Sequence, residues 1–183
     1  MTGQENAKEA RSSEMSDEEF SQRITAMTQT LFRVCYAQLR QPCDREDAVQ
    51  ETLRKCWQKR GHLRDERYLQ TWVVRVLLNE CHSIQRRSAR VQPAEQLPDR
   101  AVSPQPMGQG RLHDALLALP EKLRMPLVLY YMEGYSVEET ASMLRVPQGT
   151  VKTRLRKGRQ ELKKLLLAPE NTIGGLSHET YEG

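Results

Sequence analysis

Residues 136–162 read SVEETASMLRVPQGTVKTRLRKGRQEL, and the fold turns on this stretch. Ser136 followed three positions later by Glu139 is a capping-box pattern, in which each side chain satisfies an N–H that the first helical turn leaves open. It predicts a short helix burying Val137, Ala141 and Leu144. A few residues on, Pro147 suits the first position of a second helix, where its missing N–H costs nothing. That helix, from 147 to about 166, places Val151, Leu155, Leu162 and Leu166 on one face. Ala141, small and midway along the first helix, lets the second cross closely. Two short helices in this order form the layout of a helix-turn-helix.

The apolar face fixes what points away from it: Lys152, Thr153, Arg156, Lys157 and Arg159. From Arg145 to Lys164 eight basic residues face a single acid, Glu161. Like charges three or four positions apart on a helix repel by a few tenths of a kcal/mol per pair, so an outside anion is expected to balance them. A charge run alone is equally well explained as a solvated helix face. Joined to a capped first helix, a small crossing residue and a tight turn, it points to DNA. Residues near the start of such a second helix reach base edges, and longer flanking side chains hold phosphates. Lys152, Thr153, Arg156 and Lys157 are therefore expected at base edges, and Thr150, Arg154 and Arg159 at phosphates. The open N–H groups of Gln148, Gly149 and Thr150 add partial positive charge at the helix start.

Farther out, the 183-residue chain is 38% hydrophobic and 28% charged, the make-up of a soluble globular protein with room for one domain or two small ones. A formal net charge of +4 says little by itself, but the charge is unevenly spread. Acids gather near the N-terminus, at Glu5, Glu9, Glu14, Asp17, Glu18 and Glu19. No run approaches the roughly 18 to 20 apolar residues of a membrane span, and the first residues lack a signal-peptide core, so no membrane insertion and a cytoplasmic location are expected. Cys35, Cys43, Cys56 and Cys81 stand singly, without a C-x-x-C, and are read as reduced packing residues rather than metal ligands.

The first 15 residues are polar and aperiodic, which predicts a disordered tail. Ser16 with Glu19 repeats the capping pattern, and Phe20, Ile24, Met27, Leu31, Cys35 and Leu39 then mark one amphipathic helix ending before Pro42. A second helix begins near Asp44, with Val49, Leu53, Cys56 and Trp57 inward and Asp47, Gln50, Glu51, Arg54 and Lys55 outward. A third runs from about 68 to 87 and buries Leu69, Trp72, Val73, Val76, Leu77 and Ile84. Residues 88–110, rich in proline, glutamine and glycine, read as a flexible linker. Helical periodicity resumes at Leu112, stops at Pro120, returns from 123 to 132, and meets a left-handed stop at Gly134. The tail from 168 to 183 reads as loose. The prediction is an all-α protein of two small helical domains, residues 16–87 and 111–167, joined by a flexible linker, the C-terminal one a helix-turn-helix.

The stretch 119–162, with its words LP, EGYSVEETA and PQGTVKTRL, closely resembles the promoter-reading C-terminal domain of bacterial sigma factors of the extracytoplasmic-function (ECF) group. DREDAVQETLRKCW and TWVVRVLLNECHSIQRR resemble the N-terminal domain of the same proteins, so the resemblance covers about residues 18–167 in the family's order. It implies a dissociable subunit that binds core RNA polymerase and promoter DNA. It assigns Asp47, Gln50, Glu51 and Arg54 to the polymerase. It assigns the loop from 61 to 67 and Arg75, Asn79, Arg86 and Arg87 to the minus-ten element; Trp72 also lies there, but its place on the apolar stripe favours a core role. The second domain, with Gln148, Thr150, Lys152, Thr153, Arg154, Arg156, Lys157 and Arg159, would read the minus-thirty-five element.

Four residues depart from the family's usual pattern. Thr140 replaces isoleucine, Arg145 a glycine, Ser83 an aspartate, and Gly158 an alanine, the last at an expected cost of about 1 kcal/mol of helix stability. With aromatics at 5%, few rings are available to stack on unpaired bases. The resemblance further implies an anti-sigma factor as partner. A dimeric operator-binding regulator is the alternative, but it needs a dimerisation face, and no heptad or surplus apolar stripe supplies one. His62, His82, His113 and His178 are scattered and no phosphate loop follows a strand, so neither enzyme chemistry, a cofactor nor a small-molecule substrate is expected.

Overall fold

The computed structural model describes residues 15–63, 65–91 and 109–167. Most of these are helical, and the chain divides into two units, Met1–Pro93 and Ala94–Gly183. The expected terminal tails, apart from Met15, and most of the expected linker lie outside the described residues.

Among the described residues the first unit holds four α-helices: α1 (Asp17–Ala26), α2 (Thr28–Tyr36), α3 (Pro42–Gln58) and α4 (Leu69–Val91). The expected first helix is two. The Met27 N–H turns to the Ile24 carbonyl at 3.1 Å, a tighter i−3 bond, before Leu31 resumes the regular ladder on Met27. Thr25, Thr28 and Thr30 crowd this point with residues that lose rotamer freedom in a helix and weaken it locally. The predicted apolar row survives the break, with Phe20, Ile24, Met27, Leu31, Cys35 and Leu39 all buried. α2 also stops earlier than expected, at Tyr36. Arg45 finishes the segment by donating to the carbonyls of Leu39 and Arg40 at 2.9 and 2.6 Å, its guanidinium over the Tyr36 ring.

α3 starts two residues earlier than expected, on Pro42, and buries Ala48, Val49, Thr52 and Cys56. Trp57, expected inside, is 39% exposed. It sits where α3 gives way to the 3-10 turn Arg60–His62, its ring tilted against that of Phe20 and its face under the Arg60 guanidinium. Leu53 is only half-buried, because small Ala48 and Thr52 let α4 approach along the neighbouring row. Thr52 donates its hydroxyl to the Ala48 carbonyl, so full burial leaves it satisfied. α4 continues to Val91, past the expected end at 87 and into the stretch read as linker. Its core face is Leu69, Val73, Val74, Leu77, Leu78, Cys81 and Ile84, while Trp72 and Val76, expected inside, are half-buried. Cys35, Cys56 and Cys81 are buried free thiols, as expected of packing residues, and Cys43 is exposed.

The second unit holds α5 (Gln109–Ala118), α6 (Glu121–Leu127), a π turn (Val128–Met132), α7 (Val137–Leu144) and α8 (Gln148–Leu167). Its core joins Leu116, Leu119, Leu127, Ala141, Val151 and Leu155. Arg111 reaches the Leu166 carbonyl at 2.7 Å and thereby ties the start of α5 to the end of α8. Gly134 takes φ 74°, the left-handed stop expected of it.

Candidate nucleic-acid interface

The turn between α7 and α8 is built by short-range chemistry. The Ser136 hydroxyl accepts from the Glu139 N–H at 3.1 Å and the Glu139 carboxylate accepts from the Ser136 N–H at 2.8 Å, completing the capping box. At the other end the Val146 N–H reaches back to the Ala141 carbonyl at 3.1 Å, the 6→1 bond of a Schellman stop. That stop requires a left-handed residue, and Arg145 supplies it at φ 53°, ψ 47°. A side chain there is strained by its Cβ, which explains why glycine is the usual occupant.

Pro147 caps α8 rather than opening it, because its carbonyl accepts from the N–H groups of Thr150 and Val151. This corrects one expectation: the Thr150 N–H is taken by Pro147 and cannot serve a phosphate, which leaves Gln148 and Gly149 as the outward N–H groups. Val151, Leu155 and Gly158 are buried against α6 and α7, with Leu162 and Leu165 partly buried beside them. Leu166, expected on this face, is half-buried one position beyond Leu165.

The opposite face exposes Lys152, Thr153, Arg156 and Lys157, and Arg154 lies half-buried on its flank. Among the described residues no carboxylate pairs with these cations, since Glu161 is engaged by Lys164 at 2.8 Å. Thr153 turns its hydroxyl to the Gly149 carbonyl at 3.0 Å, so its oxygen lone pairs and methyl group remain for a partner. Arg159 is held by the Tyr131 phenol. Two exposed residues on this surface were not among the expected contacts: Gln160, which shares the outward face of Arg156 and Lys157, and Arg145, whose side chain starts just ahead of the helix.

In the first unit Asp47, Gln50, Glu51 and Arg54 do come together. With Ala48, Glu80, Ile84 and Arg87 they line a groove of about 490 Å³ between α3 and α4. Arg54 grips Glu51 with two bonds of 2.7 and 2.6 Å, and Lys55 bridges Glu51 on its own helix to Glu80 on α4. The Arg54 bonds, helped by Lys55, hold the Glu51 carboxyl down at a pKa of about 2. Glu80 was not anticipated, because an acid on a mostly buried helix face carries no signal until the partner helix is in place.

The expected minus-ten set divides. Arg75, Asn79 and Arg86 share the side of α4 turned away from its core, Asn79 and Arg86 exposed and Arg75 half-buried with an Nε that has no hydrogen-bond partner. Arg86 uses its own Nε on the His82 carbonyl. Arg87 instead faces the groove of Asp47 and Glu51. The turns between α3 and α4 are braced from α1, where the Asp17 carboxylate accepts from Arg60 Nε and Nη2 and Arg23 reaches Glu66 at 2.9 Å.

One unit carries a basic helix-turn-helix, and the other a charged groove between two helices. Residues 24–91 match the family model described as Sigma-70 region 2, and residues 109–162 match Sigma-70, region 4. The ECF sigma factor SigM of Mycobacterium tuberculosis is 32% identical over 67% of this chain and 64% of its own length, so this chain spans a little under two thirds of that relative. The RNA polymerase sigma-E factor of Streptomyces coelicolor is 29% identical over 90% of this chain and 95% of its own. In fold, the chain is similar to the sigma factor RpoE of Bartonella quintana, solved with the anti-sigma factor NepR, at a TM-score of 0.70 and 24% identity over 81% of this chain and 97% of that one. The chain belongs to the ECF group of the sigma-70 family. Among the described residues no helix is long and apolar enough to cross a membrane.

Proposed function

We propose that this chain is a cytoplasmic transcription-initiation subunit: it binds core RNA polymerase through residues 16–87, directs the enzyme to promoters, and performs no chemistry of its own. The observation that carries this reading is the occurrence, in family order, of a region 2 unit and a region 4 unit whose second helix presents cations without carboxylate partners. Asp47, Gln50, Glu51 and Arg54 are the proposed polymerase contacts, extended by Glu80 and Arg87 in the same groove. Arg75, Asn79 and Arg86 are the proposed minus-ten residues. The unpartnered Arg75 Nε supports its place there, since a buried donor left open costs roughly 1 to 3 kcal/mol unless something fills it. The exposed face of α8 is the proposed reader of the minus-thirty-five duplex. Family membership favours this over a dimeric operator-binding regulator.

The test is reconstitution. Purified chain mixed with core polymerase from its host should co-elute in gel filtration and give run-off transcripts, on promoters mapped after induced expression, that core alone does not make. Duplex binding without polymerase, together with no effect on initiation, would restore the regulator reading. An anti-sigma partner is proposed on the same footing, supported by the complex in which the solved Bartonella relative was captured. Co-purification of the native protein tests it, and recovery of only free or polymerase-bound chain under all growth conditions would count against it.

A further inference from the structure

The π turn Val128–Met132 puts two tyrosines at the surface just before the helix-turn-helix. The rings of Tyr130 and Tyr131 meet edge to face with centroids 4.9 Å apart, which limits how Tyr131 can swing. The Tyr131 phenol oxygen accepts a bond of 3.0 Å from Arg159 Nη1, across 28 residues of sequence. A guanidinium carries donors only, so in this bond the phenol oxygen is the acceptor and its own O–H proton remains to be given outward. The other guanidinium donors of Arg159 also stay available, as both side chains are exposed.

The chemistry of the partner matters. A carboxylate at position 131 would orient Arg159 equally well but would cancel its charge. A neutral phenol orients the arginine and leaves the full positive charge in place. Two donors, one charged and one neutral, are thereby held side by side at the edge of the exposed face of α8, two turns beyond Lys152. This suits a tetrahedral anion at the border of a docked duplex better than a base edge, which is met from the start of the helix.

We propose that Tyr131 is a positioning residue for phosphate binding: with Arg159 it forms a two-donor clamp on one backbone phosphate of the duplex read by α8. The inference rests on the DNA-binding reading of that helix. It is tested with the full-length chain and a fluorescein-labelled duplex of mixed sequence, titrated at several salt concentrations from about 50 mM upward, because a phosphate contact needs no particular sequence. Arg159→Ala should weaken binding about tenfold at low salt and lower the salt slope by about 1. Tyr131→Phe keeps the ring and the charge, so it should weaken binding about threefold, the scale of a single hydrogen bond, with the slope unchanged. In the Arg159→Ala background, where the phenol has lost the guanidinium that holds it, Tyr131→Phe should cost clearly less than threefold. Wild-type affinity in Tyr131→Phe, or the same threefold loss in both backgrounds, overturns the clamp. Thermal melts of each variant show whether a loss is merely unfolding. If the wild-type chain shows no salt-dependent duplex binding at all, alone or with core polymerase, the DNA reading of α8 fails first and the clamp with it.

Discussion

A methyl group added at Gly158 would lie 3.1 Å from the carbonyl oxygen of Leu123 and equally close to Leu127 Cδ1, so α8 meets the main chain of α6 at a position that has no side chain. The glycine that looks like a flaw in the reading helix is a contact. Replacing it by alanine offers about 1 kcal/mol of helix propensity, but overpacking a well-filled site typically costs 1 to 3 kcal/mol. The Leu127 side chain can rotate aside; the Leu123 oxygen is main chain and cannot. Gly158→Ala is therefore expected to leave the melting temperature unchanged or lower, and Gly158→Val to lower it further. A clear gain in stability for the alanine variant in urea titration would show that the two helices separate at little cost.

Arg145 has the opposite character. It is the only non-glycine residue with positive φ among the described residues, and nothing in its exposed side chain requires that conformation. Glycine removes the Cβ strain of 1 to 2 kcal/mol but adds unfolded-state entropy, so Arg145→Gly should stabilise the chain by roughly 0.5 kcal/mol. Arg145→Asn, which tolerates the left-handed region, should fall between the two. Equal urea midpoints for all three would mean the turn relaxes without penalty.

Thr140 is fully buried, and its hydroxyl has no hydrogen-bond partner. A buried polar group left unsatisfied costs roughly 1 to 3 kcal/mol, whereas a methyl of the same shape costs nothing to desolvate. Thr140→Val should accordingly raise stability by about 1 kcal/mol, read from the urea midpoint at constant slope. An unchanged or lower midpoint would indicate that the hydroxyl is paired in solution.

These three positions show where sequence reading stops. Long apolar rows made the helices legible, and the capping boxes and the sign-pure run of α8 made the turn and its outward face legible. The break at Met27 was hidden because the apolar row runs straight through it. Ala48 and Thr52 were missed as core residues since neither is large or apolar enough to mark a stripe. Glu80 and the Tyr131–Arg159 bond depend on which element packs beside which, and periodicity along one helix carries no such information. Gly158 was visible, but its meaning lay in the neighbouring main chain.

In the groove of the first unit, Glu51 has its carboxyl held near a pKa of about 2, first by the Arg54 bonds and further by Lys55, against an ordinary value of 4.5. A depressed folded value means the pairing stabilises the fold fully above the unfolded pKa and is lost as pH falls through the folded one. Between about pH 5 and 3 Glu51 should therefore stay ionised while exposed glutamates protonate. Carboxyl-carbon NMR titration reads this directly, and Arg54→Ala should move the Glu51 midpoint upward. A wild-type midpoint near 4.5 would mean that the Arg54 fork does not persist in solution.

Arg156 separates two versions of the proposed DNA role of α8, reading sequence or only holding the backbone. It stands exposed on the face between Thr153 and Gln160, two turns from the helix start, with no carboxylate beside it among the described residues. An arginine there can take a guanine by two bonds, a pair worth about 1 to 3 kcal/mol of discrimination against the wrong base. Arg156→Ala, assayed in the reconstituted holoenzyme on a promoter and on single-base variants of its minus-thirty-five element, should lower occupancy and flatten the preference at one base pair only. Lys157→Ala, its neighbour around the helix, should flatten a different position or none. If Arg156→Ala instead weakens every variant by the same factor and reduces the salt dependence by about one phosphate equivalent, its partner is the backbone, and sequence reading rests on Lys152, Thr153 and Lys157.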